Sequence, residues 1–192
     1  MEFRTKVELP AKGPKIQHTD RLMIWGSCFS EHIGNLLAEH KFNCDVNPFG
    51  VLYNPMSIAT SIQCLLKKAL YRKEDLREEQ GGWYSLMHHS TFSSHEAEDC
   101  LQKINQRITQ GHENLKQADW IIFTWGSSFV YTWKGNGEIV GNCHKLPSRL
   151  FERKMVCADE ITAIYLPLLQ ELKAVRPNLQ CLFTVSPIRH LK

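Results

Sequence analysis

Apolar residues along the chain fall into short unbroken runs that alternate with stretches of helical spacing. Arg21 to Trp25 reads as a strand ended by Gly26. From Phe29 to His40 the apolar positions Phe29, Ile33, Leu36 and Leu37 recur at helical spacing, with Ser27 or Cys28 placed to cap the first turn. A shorter strand is predicted around Phe42 to Val46. In the turn-rich segment after it, Asn47-Pro48 and Asn54-Pro55 disfavour helix before each proline. Asn54 as N-cap, with Pro55 at the first helical position, starts a helix to about Leu70 whose apolar face is Ile58, Ile62, Leu65, Leu66 and Ala69. The mixed-charge run Lys67 to Glu79 is expected to be a solvated helical stretch, and Gly81 to Ser94 irregular. Ser93 to Glu96 has the form of a capping box for a helix ending near Gly111.

Trp120 to Trp125 is apolar except for Thr124 and runs straight into Gly126-Ser127-Ser128, the pattern of a buried, central strand. Phe129 to Lys145 alternates like a hairpin turning at Gly135-Asn136-Gly137, an insertion above the sheet. Asp159 to Val175 is amphipathic, with Pro167 expected to kink or reset the helix, and Gln180 to Val185 is the last strand. Strands alternating with helices predict an α/β domain with a mainly parallel sheet, preceded by an extended lead-in over residues 1–20. Ligands of such sheets collect at the carboxyl ends of the strands. Three strands end there in polar, turn-forming residues: Gly26-Ser27-Cys28, Gly126-Ser127-Ser128, and Ser186 to His190.

Composition narrows this picture. With 192 residues, 43% of them hydrophobic, the chain sustains one domain with a sizeable core and excludes extensive disorder. The net charge of +3 is spread without a block, so neither a nucleic-acid nor a membrane partner is expected. Seven widely spaced cysteines without a Cys-x-x-Cys pair, and no apolar run of signal or spanning type, lead to the expectation of a reduced, cytoplasmic protein. His88, His89 and His95 lack the regular spacing of a metal site, and no metal or cofactor is implied.

At Gly26-Ser27-Cys28 a hydroxyl and a thiol sit where a strand meets a helix amino terminus, whose N–H groups and positive dipole end favour an oxyanion. Either is a candidate nucleophile, and Ser27 as a simple cap is the alternative. The stretch is not G-x-S-x-G. "NPFGVLYNP" offers backbone donors around Gly50 and the amides of Asn47 and Asn54, and "GNCHK" presents Asn142, Cys143, His144 and Lys145 beyond the hairpin arm. Arg189 and His190 follow the last strand, where His190 is a candidate base. Trp83, Trp125, Tyr131 and Trp133 offer a stacking surface for a second reading, a noncatalytic carbohydrate-binding or scaffold protein.

Taken together, these stretches resemble the GSCFA-domain family. Gly26-Ser27-Cys28-Phe29-Ser30 stands for its name motif, with Ser30 in place of alanine. "NPFGVLYNP", His89-Ser90, "TWGSSFVY", "NCHKLP" and "TVSPIRH" follow in order across residues 20 to 190. The family looks like a branch of the SGNH, or GDSL-like, hydrolases, so the resemblance implies a flavodoxin-like α/β/α sandwich and a serine ester hydrolase. Ser27 is then the nucleophile, with Cys28 a packed neighbour. Oxyanion donors are the N–H groups of Ser27 and Gly50, with Asn142 or Ser128 as the third because Gly126-Ser127-Ser128 replaces Gly-x-Asn. His89, His144, Arg189 and His190 are expected near the substrate, a small-molecule or carbohydrate ester. The family's Asp-x-x-His pair does not occur in these 192 residues. The expectation is therefore that residues 21–192 are the amino-terminal portion of the hydrolase domain. Alone it would be a weak hydrolase or none, with a sheet edge open to self-association into a homo-oligomer.

Overall fold

The computed structural model describes residues 13–79 and 81–185. Strand β1 (Arg21–Trp25) is followed by α1 (Cys28–Glu39), β2 (Asn43–Val46) and α2 (Pro55–Lys67). A hairpin of β3 (Arg77–Glu79) and β4 (Gly82–Tyr84) leads to α3 (Ala97–Gln117) and β5 (Trp120–Trp125). Next come β6 (Phe129–Trp133), β7 (Ile139–Val140) and β8 (Phe151–Met155), then α4 (Ala158–Val175) and β9 (Gln180–Val185). The principal sheet has the order β2-β1-β5-β9 with every pairing parallel, so the chain is an α/β protein as its periodicity predicts. A smaller antiparallel sheet, β7-β6-β8, is inserted after β5.

Strand β1 is apolar at consecutive positions because both its faces are covered. Leu22 and Ile24, with Trp120 of β5, pack against Leu37, Phe42 and Val46 on one face. Met23 and Trp25, with Ile121 and Phe123, meet Ile58, Ile62, Ile104, Ile108, Tyr165 and Leu168 of α2, α3 and α4 on the other. Each such side chain, taken from water, contributes about 1.5–3 kcal/mol. Asn54 caps α2 by accepting the Ser57 N–H at 2.8 Å, and Pro55 occupies the first turn. Among the described residues no helix is long and apolar enough to cross a membrane.

Several elements depart from the periodicity. Helix α1 buries Ser30 and Gly34, whereas Phe29 and Leu36 are 56% and 43% exposed. Close approach to β2 selects the small residues, because a Cβ on Gly34 would lie 2.5 Å from Val46 Cγ2 and 2.9 Å from Cγ1. Helix α2 stops at Lys67, with Lys68 in the left-handed region at φ 49°. The charged run beyond is a 3₁₀ turn, Lys73–Asp75, and the short strand β3 rather than helix. Ser93 to Glu96 makes no capping box: α3 begins after Glu96, whose side chain does not cap it. The helix continues through Gly111, where the missing Cβ admits Leu65 of α2. Pro167 lies within an uninterrupted α4; it and Ala163, whose carbonyl loses its donor, are exposed to water. Alternation misses strand β4, which lies in the stretch expected to be irregular, and strand β8, four of whose five residues face solvent.

In an exposed helix interior Gly→Ala stabilises by about 1 kcal/mol. Gly34→Ala is expected to do the reverse and lower the free energy of unfolding by about 1–3 kcal/mol, measured by urea titration, because Val46 is β-branched and cannot swing away. An increase in the urea midpoint would show that α1 and β2 are not in close contact.

Candidate active site at the carboxyl edge of the sheet

The turn between β1 and α1 is fixed from several directions. A Cβ at Gly26 would collide with Ser30 Oγ and lie 2.7 Å from the Thr124 carbonyl, so only glycine allows β5 and α1 to close on the turn. The Gly26 N–H donates to Asn47 Oδ1 at 2.9 Å in the interior, and its carbonyl accepts the Leu52 N–H at 3.0 Å. Asn47 itself donates its N–H to the Ile24 carbonyl at 2.8 Å and adopts φ 45°, a conformation asparagine tolerates. Ser30, at the family's alanine position, satisfies its buried hydroxyl on the Trp25 carbonyl at 3.3 Å.

Ser27 is the N-cap of α1, its Oγ accepting the Phe29 N–H at 3.3 Å. The hydroxyl proton is not used in that bond and remains to be given away. Across the turn, the Tyr53 carbonyl accepts the N–H groups of Gly126 and Ser127 at 2.9 and 3.0 Å, which joins the end of β5 to the loop after β2. Between these turns and the inserted sheet lies an open cavity of about 980 Å³. Ser27, Cys28 and Glu31 line it from α1, Tyr53 and Asn54 from the loop, and Phe129, Tyr131 and Arg153 from the inserted sheet. The Arg153 guanidinium lies 3.6 Å from the centre of the Phe129 ring. A second cavity, of about 510 Å³, sits at the start of β1 and β2, and its Arg107 and Asp45 are paired with each other.

The structure brings some of the expected residues together and separates others. Ser27, His89 and Asn142 share the cavity. Asn142 Oδ1 accepts the His144 N–H at 2.9 Å, so its amide NH₂ is the end left for a ligand. Gly50 does not line the cavity, and its N–H donates to the Asn47 carbonyl at 2.7 Å, which removes the donor expected there. Ser128 does not line the cavity, and its carbonyl accepts the Val156 N–H; Ser127 stands in the wall instead. His144 is also outside the lining, with Nε2 held 2.9 Å from the Ser85 carbonyl and its ring against Tyr84. Cys28 is exposed in the cavity rather than packed. Arg189 and His190 lie outside the described residues. Glu31 and Arg153 were not legible as cavity residues because helix phase and the missed strand β8 decide which way they face, nor was Tyr53, which lies in a loop without periodicity.

The GSCFA family model matches residues 21–192, a span that contains the whole of this cavity. The chain belongs to the GSCFA family. No curated protein and no solved structure matches it.

Behind His89 in this GSCFA protein lies a buried histidine with a different task. His88 is 1% exposed, stacked on Phe49 at 4.3 Å, with Nδ1 2.9 Å from Ser85 Oγ. Burial, reinforced by the neighbouring His144, pushes its imidazolium down to about 3 from an ordinary 6.5. Burial also lowers His144. The unfolded chain therefore binds protons that the folded one refuses, so stability is unaffected above pH 6.5 and falls as pH drops from 6.5 towards 3. His88→Phe is expected to make that acid limb shallower by close to one proton, read from urea midpoints against pH. An unchanged slope would show that His88 is not held neutral.

Proposed function

We propose that this protein is a serine-dependent ester or acyl hydrolase of SGNH type, with Ser27 as nucleophile. The sheet order β2-β1-β5-β9 with helices on both faces supports a flavodoxin-like sandwich of that class. The observation that carries the reading is the position of Ser27. It lies at a strand-to-helix turn on the carboxyl edge of a parallel sheet, in one cavity with the amide of Asn142 and the hydroxyl of Ser127.

In the reaction, Ser27 Oγ bonds to the ester carbonyl carbon as its proton passes to a base. The carbonyl π-electrons move to oxygen, and donors in the wall hold that oxyanion. Collapse breaks the bond to the alcohol, which leaves with a proton, and water then releases the acid from Ser27 by the same steps. The Ser27 N–H has no internal partner among the described residues and is the first donor; Asn142 Nδ2 is the donor from the hairpin side. Among the described residues no base contacts the Ser27 hydroxyl.

Carbohydrate binding without catalysis is the second reading, favoured by Tyr53, 51% exposed at the cavity, and by Phe129 and Tyr131 in its wall. Of the four aromatics singled out from sequence, Tyr131 alone lines the cavity. Trp83 and Trp133 carry Lys73 and Arg77 over their rings, and Trp125 packs against Tyr165. A sugar ester satisfies both features, with the ring on the aromatics and the acyl carbonyl at Ser27.

A fluorophosphonate probe separates the readings when the labelled residue is identified by peptide mass spectrometry. Slow labelling at Ser27 is expected, abolished in Ser27→Ala and retained in Cys28→Ala. Modification at Cys28, or none at either residue, contradicts a serine hydrolase, and fast ester turnover by this chain would show that a base lies closer than described.

A further inference from the structure

We infer that the imidazole of His89, and not the Gly50 N–H, is the second donor to the oxyanion formed at Ser27, an assignment that rests on the serine hydrolase reading. The Gly50 N–H is occupied by the Asn47 carbonyl, and Gly50 is set back from the cavity that His89 lines. Glycine at position 50 has another cause. Its φ is 82°, and a Cβ there would collide with His89 Cβ and lie 3.1 Å from Cγ. The His89 N–H donates to the Phe49 carbonyl at 2.9 Å, so the two backbones are clasped and the His89 Cβ stands where a side chain at 50 would begin.

The ring's own hydrogen bonds fix its role. His89 Nδ1 accepts the Thr91 N–H at 3.3 Å and lies 3.2 Å from Thr91 Oγ1. A backbone N–H can only donate, so Nδ1 carries a lone pair and the proton of the neutral ring is on Nε2. With Nδ1 engaged in this local turn, Nε2–H is the polar group His89 has left to offer a ligand. A nitrogen that already bears hydrogen cannot take the Ser27 proton, but it can donate to a developing oxyanion. His89 thus acts opposite to a general base. It gives a hydrogen bond where negative charge appears, in concert with the Ser27 N–H and Asn142 Nδ2.

The test is the rate of Ser27 modification by a fluorophosphonate, whose phosphonyl oxygen takes the place of the oxyanion. His89→Ala is expected to slow it at least about tenfold, consistent with the loss of one oxyanion donor. His89→Gln, which keeps an N–H donor, is expected to recover part of the rate. A rate for His89→Ala within threefold of wild type overturns the inference. In ¹⁵N-histidine protein, long-range ¹H–¹⁵N spectra should show the Nε2–H tautomer of His89 and a shift of that signal when Ser27 is modified. The Nδ1–H tautomer overturns the assignment even if the variants fail to fold. If wild-type Ser27 takes no label at all, the serine hydrolase reading itself fails, whereas labelling indifferent to His89 leaves that reading intact and removes only this inference.

Discussion

The hydrogen bond from the Gly26 N–H to the side-chain oxygen of Asn47 is the joint on which the site depends. It is 2.9 Å long, buried, and links the ends of two adjacent parallel strands whose register already sets Ile24 opposite Val46. Asparagine suits the position because it accepts a left-handed backbone and brings an oxygen to an amide that water cannot reach. An unmet N–H there would cost about 1–3 kcal/mol and free the turn that presents Ser27. From this joint the loop runs on through Leu52 to the Gly26 carbonyl and through Tyr53 to Gly126 and Ser127. The ends of β2, β1 and β5 become one polar edge.

That edge is where the physics of a doubly covered parallel sheet leaves room for chemistry. Strands β1 and β5 are apolar on both faces except at Thr124, which pairs with Thr184 of β9, so the site's hydroxyl, amide and imidazole come from the turns beyond the strands. Ser27 combines two demands in one side chain: it accepts an N–H to start α1 and keeps a proton available for transfer. The inserted β6–β8 sheet closes the other side, where Asn142, Tyr131 and Arg153 define what the cavity admits. His88 and His89, adjacent in sequence, divide the labour. One is an uncharged core ring stacked on Phe49, the other a cavity group held by Thr91.

Most of the principal fold was legible in the chain, because unbroken apolar runs such as Trp120 to Phe123 have few homes other than a covered strand. The Asn54-Pro55 start of α2 was also plain. Ser27, Asn142 and His89 fall into one cavity, as a shared site requires. The misreadings share a cause. Gly34 and Gly111 are packing glycines, whose meaning lies in Val46 and Leu65 far along the chain, and so α1 was turned to the wrong face and α3 ended too soon. Gly50 looked like a donor from its own sequence, but its amide is spent within its turn and its missing side chain makes room for His89. Strand β8 and the cavity role of Arg153 depend on pairing with β6, which period-two counting in a mostly solvated strand does not reveal.

We propose Ser27 as a nucleophile facing donors from the β1–α1 turn, the loop that carries His89 and the segment after β7. A crystal structure of the protein after reaction with a fluorophosphonate measures this most directly. The expected result is phosphorus bonded to Ser27 Oγ, with the phosphonyl oxygen within hydrogen-bond distance of Asn142 Nδ2 and the His89 ring. Phosphorus on Cys28, or a phosphonyl oxygen turned to solvent away from both groups, would contradict it.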